Sequence, residues 1–324
     1  MLESRLLFKK GEHSASFLKA GNAYYPAHYQ TSDHPAKDQH YVRNIQKPSG
    51  SSMIELPSPK DWVRHSPHTS KLERLEAFFS AHGFDPHRHD TYAIGRTLSG
   101  VQSFRYRGEN RNSLPGETLV LHPDEEHDGH AGSDSGFRYR MLYITPELAQ
   151  QVLQGKPLPF LKGGISNDPR FAAATDNILS ALDDPLDPLE EDDAIFQLIT
   201  TLQAVCGERA ATGANCFPAA DRAREYMNDN LQQAVSLDDL AKFTGRDKWS
   251  LSKDYRVYFG TSPHRYLTMR RLDRVKTAIF AGKSLVEASV EAGFFDQSHM
   301  TKHFKKTFGV SPARWCRSRD RDLI

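Results

Sequence analysis

The chain has 324 residues and a formal net charge of +1. That length suggests two domains, and the near-zero total excludes a uniformly basic or acidic protein. The three cysteines, Cys206, Cys216 and Cys316, form no C-x-x-C pair, so nothing supports a zinc finger or redox pair, and a reducing compartment is expected. The charge is unevenly placed. Ala219 to Ile324 holds 20 Lys+Arg against 13 Asp+Glu, and the remainder holds 22 against 28. A basic C-terminal third behind a mildly acidic body fits a nucleic-acid module attached to something else.

The N-terminal MLESRLLFKKGEHS lacks an apolar core of signal-peptide length. No apolar run reaches the roughly 18 residues that a membrane span needs, so a soluble, cytoplasmic chain is expected. Residues 1–60 are polar and scattered with Pro, Ser and Gly, and a weakly ordered extension is expected there. From Asp61 to Thr145 the composition turns to short segments rich in Val, Tyr, Phe, Ile and Thr, such as TYAIGRTLSGVQSFRYRG and GFRYRMLYI. Turns such as GEN and LPGE separate them, which predicts an antiparallel sandwich or small barrel. Residues 146–207 change to helical spacing. In EEDDAIFQLITTLQAVCG, Ile195, Leu198, Ile199 and Leu202 make one stripe. Its heptad interval suits either a seam between two copies of the chain or packing on the sheet domain. Residues 208–218 have linker composition, residues 219–317 read as helix, and 318–324 form a tail.

The helical third repeats itself. SLDDLAKFTGRDKWSLSKDYRVYFGTSP begins at Ser236, and SLVEASVEAGFFDQSHMTKHFKKTFGVSP begins at Ser284. Asp247, Lys253, Phe259, Gly260, Ser262 and Pro263 recur as Asp296, Lys302, Phe308, Gly309, Ser311 and Pro312. In each copy a Ser caps a short helix, a Gly turns the chain, and an Asp caps a second helix with an apolar inner face. Two short helices about a Gly turn, in a basic region, form a helix-turn-helix candidate. The intervening SPHRYLTMRRLDRVKTAIFAG predicts one helix about 28 Å long. A connector of that length can hold two reading helices near one duplex turn apart, about 34 Å.

This arrangement resembles the AraC/XylS family of bacterial transcription regulators. EAGFFDQSHMTKHFKKTFGVSPARW is similar to that family's C-terminal signature, and RRLDRVKTAIFAGKSLVEAS is similar to its connector. Lys253 and Lys302 stand where the family usually has Arg, which keeps the charge and loses the bidentate fork that reads guanine. The resemblance implies base reading by Lys248, Trp249, Ser252 and Lys253 in the first unit, and by Gln297, Ser298, Thr301 and Lys302 in the second. For Trp249 a core position is the competing reading. Arg246, Arg256, Lys305 and Lys306 are expected to hold phosphates.

In the strand-rich part, HGFDPHRHDTY and LPGETLVLHPDEEHDGH place His87 and His89 in phase, with His127 able to join them. Metal-binding cupins resemble this arrangement, but Ala93 or Ile94 stands where they carry Glu. The segment also resembles the cupin sensor domain of AraC-type regulators, with Asp124 in place of a usual Gly. That resemblance implies a metal-free effector pocket without cofactor, lined by His87, His89, Tyr92, Arg105, His122 and His127.

The expected fold class is α+β and multidomain. It has an N-terminal cupin-like antiparallel β-barrel with a helical dimerisation segment, then an all-α domain of two helix-turn-helix units joined by a long helix. The expected function is sequence-specific DNA-binding transcription regulation, modulated by a small-molecule effector. Double-stranded DNA, RNA polymerase and a second copy through 146–207 are the implied partners, at the bacterial nucleoid. A cupin metalloenzyme with an accessory helical domain is the alternative. A protein-interaction tail is a third reading, which leaves the basic faces unexplained.

Overall fold

The computed structural model describes residues 61–66, 71–180, 182–184, 186–207, 214–308 and 310–315. The expected extension 1–60, the tail 318–324, Gly309 and most of the linker fall outside the described residues. Among the described residues the strands come first: β1 (Trp62–His65), β2 (Glu73–Phe79), β3 (His82–His87), β4 (Tyr92–Gly100), β5 (Gln102–Tyr106), β6 (Glu109–Ser113), β7 (Thr118–Leu121), β8 (His127–Ala131), β9 (Phe137–Ile144) and, later, β10 (Ile165–Ser166). They make two antiparallel sheets, ordered β1-β2-β9-β4-β7-β10 and β3-β8-β5-β6. β10 lies inside the segment read as wholly helical. Two residues carry too little periodicity to announce a strand, and only pairing with Leu119 and Thr118 makes it one.

The larger sheet is covered on both faces. Leu75, Ala77, Phe79, Ala93, Leu119, Leu121, Tyr139 and Met141 point inward, against Phe104 and Tyr106 of the second sheet. Ile94, Val120, Leu142 and Ile144 point outward, under three helices: α1 (Pro146–Leu153), α2 (Pro169–Leu179) and α3 (Pro188–Cys206). A strand buried on both faces reads as an unbroken apolar run, as TLVL in β7 does. Ile195, Leu198, Ile199 and Leu202 of α3 are buried in that outer layer. The stripe that suited a dimer seam is therefore consumed within the chain. The large apolar residues that α3 leaves exposed are Leu189 and Phe196.

From Phe217 the described residues form helices: α4 (Phe217–Asp229), α5 (Leu237–Thr244), α6 (Lys248–Phe259), α7 (Pro263–Phe280), α8 (Leu285–Glu291) and α9 (Gln297–Phe308). α5 with α6, and α8 with α9, are the two repeats. The 18 residues of α7 span about 27 Å. Tyr266 and Leu267 of α7 enter the core of the first unit, while Met269, Leu272, Val275 and Ile279 enter that of the second. One helix thus carries both units. Among the described residues, no helix is long and apolar enough to cross a membrane.

Candidate functional sites: a histidine cluster, two helix faces and the contact between halves

β3 is an edge strand, and its pairing with β8 is irregular. Phe84 pairs with Gly129 and His87 with His127, so β3 spends one residue more than β8 over that interval. Pro86 falls in this bulge, where a missing backbone N–H is tolerated. The bulge sets His87 opposite His127, and the Phe84 ring lies across Gly129, where any Cβ would collide with it. Phe84 then meets His87 and His127 edge-on, at centroid distances of 5.3 and 6.2 Å. His89 follows in the loop, 4.7 Å from His127, with Tyr143 edge-on at 5.7 Å. The rings of His87 and His127 are 4.5 Å apart. One ring nitrogen from each histidine lies within 4.8 Å of those of the other two. Burial pushes all three imidazoles below the ordinary histidine value, that of His89 to about 4, so they are neutral at physiological pH.

The other three expected pocket residues lie elsewhere. Tyr92 faces the helical layer and donates to the Pro159 carbonyl at 2.7 Å. Its place at the start of β4 alternates with inward-facing Ala93, which the sequence window did not resolve. Arg105 is exposed on the outer face of β5, because its neighbours Phe104 and Tyr106 take the interior. His122 is buried and committed. Its Nε2 accepts from Leu161 N–H at 3.0 Å, its Nδ1 pairs with the Tyr106 hydroxyl at 2.6 Å, and Phe160 packs on the ring at 4.3 Å.

In the helical third, the caps appear as the sequence implies. Ser236 with Asp239, and Ser284 with Glu287, form reciprocal capping boxes. Asp247 accepts from the N–H groups of Trp249 and Ser250, and Asp296 accepts from that of His299. Gly245 (φ 69°) and Gly293 (φ 87°) take the left-handed turn between the helices of each unit. The outer faces carry the expected side chains. Lys253, Gln297, Ser298, Lys302, Lys305 and Lys306 are exposed, and Ser252 and Thr301 are half-buried. Trp249 is 70% exposed, which removes the core reading. Lys248 lies over its ring at 5.5 Å and pairs with Asp238 at 2.9 Å. Arg256 is exposed and donates to the Ser252 hydroxyl at 2.6 Å. Arg246 departs from its expected role. Its guanidinium turns inward to the buried Asp254 carboxylate at 2.8 Å and to the Ala214 carbonyl, tying the end of the linker to α6. Phe295, 90% exposed just before α9, was not singled out, although the Phe-Phe doublet next to the reading residues marked it.

Sequence reasoning also missed the contact between the halves. Asp124 sits in a left-handed turn (φ 63°), where the family resemblance expects Gly. Its carboxylate accepts from Arg265 of α7 at 2.8 Å and from the Thr261 hydroxyl at 2.9 Å. Asp90, the neighbour of His89, forms an ion pair with Arg270 of α7. Burial alone lowers the Arg270 guanidinium, but Asp90 and Asp273 outweigh it and hold it above the ordinary value. Leu158 N–H donates to the Val257 carbonyl at 3.0 Å, and the Gln150 amide donates to the Tyr258 carbonyl at 3.0 Å. Gly260 (φ 73°) ends α6 against Pro123, where a Cβ would approach to 2.9 Å. Arg265 and Arg270 look like any other connector cations in sequence, and their partners lie 141 and 180 residues away.

Comparison with known proteins agrees with this division. Residues 70–199 match the family model described as AraC-like ligand binding domain, and residues 240–318 match a helix-turn-helix domain. The chain is 23% identical over 300 residues to XylDLEGF operon transcriptional activator 3 of Pseudomonas putida, which covers 87% of this chain and 91% of that protein. It is 22% identical over 223 residues to the uncharacterized HTH-type transcriptional regulator YbfI of Bacillus subtilis (strain 168), 67% of this chain and 81% of that one. The crystal structure of ToxT from Vibrio cholerae O395 shares the fold, with a TM-score of 0.54 at 11% identity over 77% of this chain and 98% of ToxT.

Proposed function

The chain belongs to the AraC/XylS family of transcription regulators, and on that premise we propose that α6 and α9 read two successive major-groove segments while the barrel half controls how they are presented. The observation that carries the reading is the pair of capped helix-turn-helix units on one continuous helix, each with a polar and basic outer face. Lys248, Trp249, Ser252 and Lys253 face the first segment; Gln297, Ser298, Thr301 and Lys302 face the second. The chemistry suits the task, since Gln pairs adenine edges, Lys reaches guanine, and Ser or Thr bonds several edges. Arg256, Lys305 and Lys306 are phosphate contacts. Arg246 serves the α6 scaffold instead.

The barrel half is the effector-sensing half, with His87, His89 and His127 as its ligand-facing residues. The step from His89 to Asp90 and then to Arg270 supports a route by which occupancy there alters the packing of α7. A second copy of the chain, docking on 146–207, meets the exposed Leu189 and Phe196 face of α3. RNA polymerase is the further partner that activation requires, and the bacterial nucleoid is where such a regulator works. The comparisons do not favour the metalloenzyme alternative: the named relatives are transcription regulators. A gel shift of the full chain on its own upstream DNA tests the reading. Selective, salt-sensitive retardation is expected. Equal retardation of unrelated DNA at every salt concentration contradicts it.

A further inference from the structure

Of the phenylalanine and tryptophan rings among the described residues, the two most exposed occupy matching places. Trp249, at 70%, is the second residue of α6, and Phe295, at 90%, lies two residues before α9. A single exposed apolar side chain needs no explanation. Two aromatic rings, one at the entry to each reading helix, call for one. The N-terminal end of a recognition helix is the part that meets base edges in the major groove.

The internal repeat sharpens the point. With Asp247 matched to Asp296, Phe295 is the counterpart of Arg246, and His303 is the counterpart of Asp254. In the first unit that position turns inward, as the Arg246 guanidinium pairs with the buried Asp254 carboxylate. In the second unit Phe294 does the inward packing instead. Its ring is buried against those of His299 and His303, at centroid distances of 5.7 and 6.1 Å. Its N–H donates to the Ser289 carbonyl at 3.0 Å. On the one side Gly293 fixes the turn, since any Cβ there would collide with the Leu231 carbonyl. On the other, Asp296 caps α9 by accepting from His299 N–H at 2.7 Å. The backbone is therefore held on both sides of Phe295, while its ring is left to solvent.

The surroundings narrow the occupant. Gln297 and Ser298 follow directly and are exposed, and Lys302, Lys305 and Lys306 are exposed further along α9. A polar and basic surround complements a polyanion better than an apolar protein surface. The apolar group that a duplex presents in its major groove is the C5-methyl of thymine. We propose that Phe295 packs on one thymine C5-methyl at the edge of the second segment and is a specificity-determining residue of the α9 unit. The inference rests on α9 as the helix in that segment. It adds an apolar contact ahead of Gln297, and with it a preference for thymine over cytosine that the hydrogen-bonding side chains behind it do not supply.

The test uses the full chain and a duplex that it has selected from random-sequence DNA. Each thymine beneath α9 is replaced in turn by deoxyuridine, which removes the methyl group and keeps every hydrogen-bonding group. For the wild type, one replacement should weaken binding about fourfold, the worth of one buried methyl group. Phe295→Ala should bind the unmodified duplex roughly tenfold more weakly and melt within about two degrees of the wild type. It should also be indifferent to that same replacement. Phe295→Leu, which keeps an apolar side chain, should recover part of both the affinity and the sensitivity. Lys302→Ala should lose selectivity yet still sense the methyl group. Wild-type binding that no single replacement weakens, or a Phe295→Ala variant that still senses the methyl, overturns the proposal. A Phe295→Ala variant that binds as the wild type does, yet changes transcription of a reporter behind that duplex, marks the ring as a protein contact and also overturns it. If Lys302→Ala loses selective binding while Phe295→Ala keeps it in full, only this inference falls. If both variants bind as selectively as the wild type, the reading of α9 falls with it.

Discussion

Removal of the Asp124 carboxylate probes the contact between the two halves. It accepts two hydrogen bonds from the helical half, from Arg265 at 2.8 Å and Thr261 at 2.9 Å, while its own backbone takes φ 63°. Bonds to a charged group contribute about 1.5–3 kcal/mol each when buried. Here the carboxylate is 24% exposed and the guanidinium 16%, so about 2 kcal/mol in total is a fair expectation after screening. Asp124→Ala loses this and keeps a Cβ in the left-handed region. Asp124→Gly loses the same bonds but recovers about 1 kcal/mol from the backbone. The Ala variant should therefore be about 2 kcal/mol less stable than wild type, and the Gly variant about 1. Urea midpoints of the full chain measure both. A double-mutant cycle of Asp124→Ala with Arg265→Ala should return a coupling of about 1 kcal/mol, whereas Arg265→Ala with Lys305→Ala should add within about 0.5 kcal/mol. A coupling of zero between Asp124 and Arg265 would refute the claim that this ion pair joins the halves.

Three further outcomes are expected. Glu76, fully buried on the outer face of β2, is the common partner of Arg64, Arg138 and Arg140. Burial by itself raises its carboxyl, but hydrogen bonds from Arg140 and Arg138 outweigh that and hold it below the ordinary value. Glu76→Gln should lower stability by about 2–3 kcal/mol, discounted from a fully buried pair because the arginines are partly exposed; calorimetry that finds no change would contradict the assignment. Trp249→Ala should leave the melting temperature within a degree or two while weakening DNA binding by roughly tenfold, since base stacking or methyl contact needs the ring and folding does not. His303 is lowered to about 4 by burial, then by His299, His264, Arg265 and Lys306. Its folded value lies below the ordinary 6.5, so the folded chain binds fewer protons than the unfolded one, and this contribution to stability is lost as pH falls from about 6.5 to 4. His303→Gln should flatten that part of the stability–pH curve, and an unaltered slope would count against it.

The readable parts of the fold were those that rest on neighbours in the chain. Capping serines, Gly245 and Gly293, and the apolar stripes of α6 and α9 are local features, so the repeat revealed both units and the faces they expose. The alternation of GFRYRMLYI was legible too, and it put Arg138 and Arg140 on one side of β9. Their partner Glu76 was not, because it lies more than 60 residues away in sequence. Arg246 was missed for another reason: its acid, Asp254, is near in sequence, but its burial in the core is set by tertiary packing. The pocket residues failed on the choice of face. Periodicity of two put Tyr92 and Arg105 on strands, but Tyr92 lies on the face covered by helices and Arg105 on the open face of the smaller sheet, which alternation alone does not decide. The Ile195 stripe suited either a seam between copies or packing within the chain, and only the tertiary structure shows that it packs on α1 and α2, with α2 in turn lying on β4, β7 and β9.

The most direct test of the central claim is a hydroxyl-radical footprint of the full chain on a selected binding site. Two protected patches on one face of the duplex, about one helical turn apart, are expected. Lys302→Ala should weaken specific binding by about 1–3 kcal/mol and blur only the patch under α9. Lys305→Ala should weaken binding to all sequences and reduce the salt slope by about one unit. A single patch, or identical behaviour of the two variants, would contradict the reading of α6 and α9 as two separate DNA-reading helices.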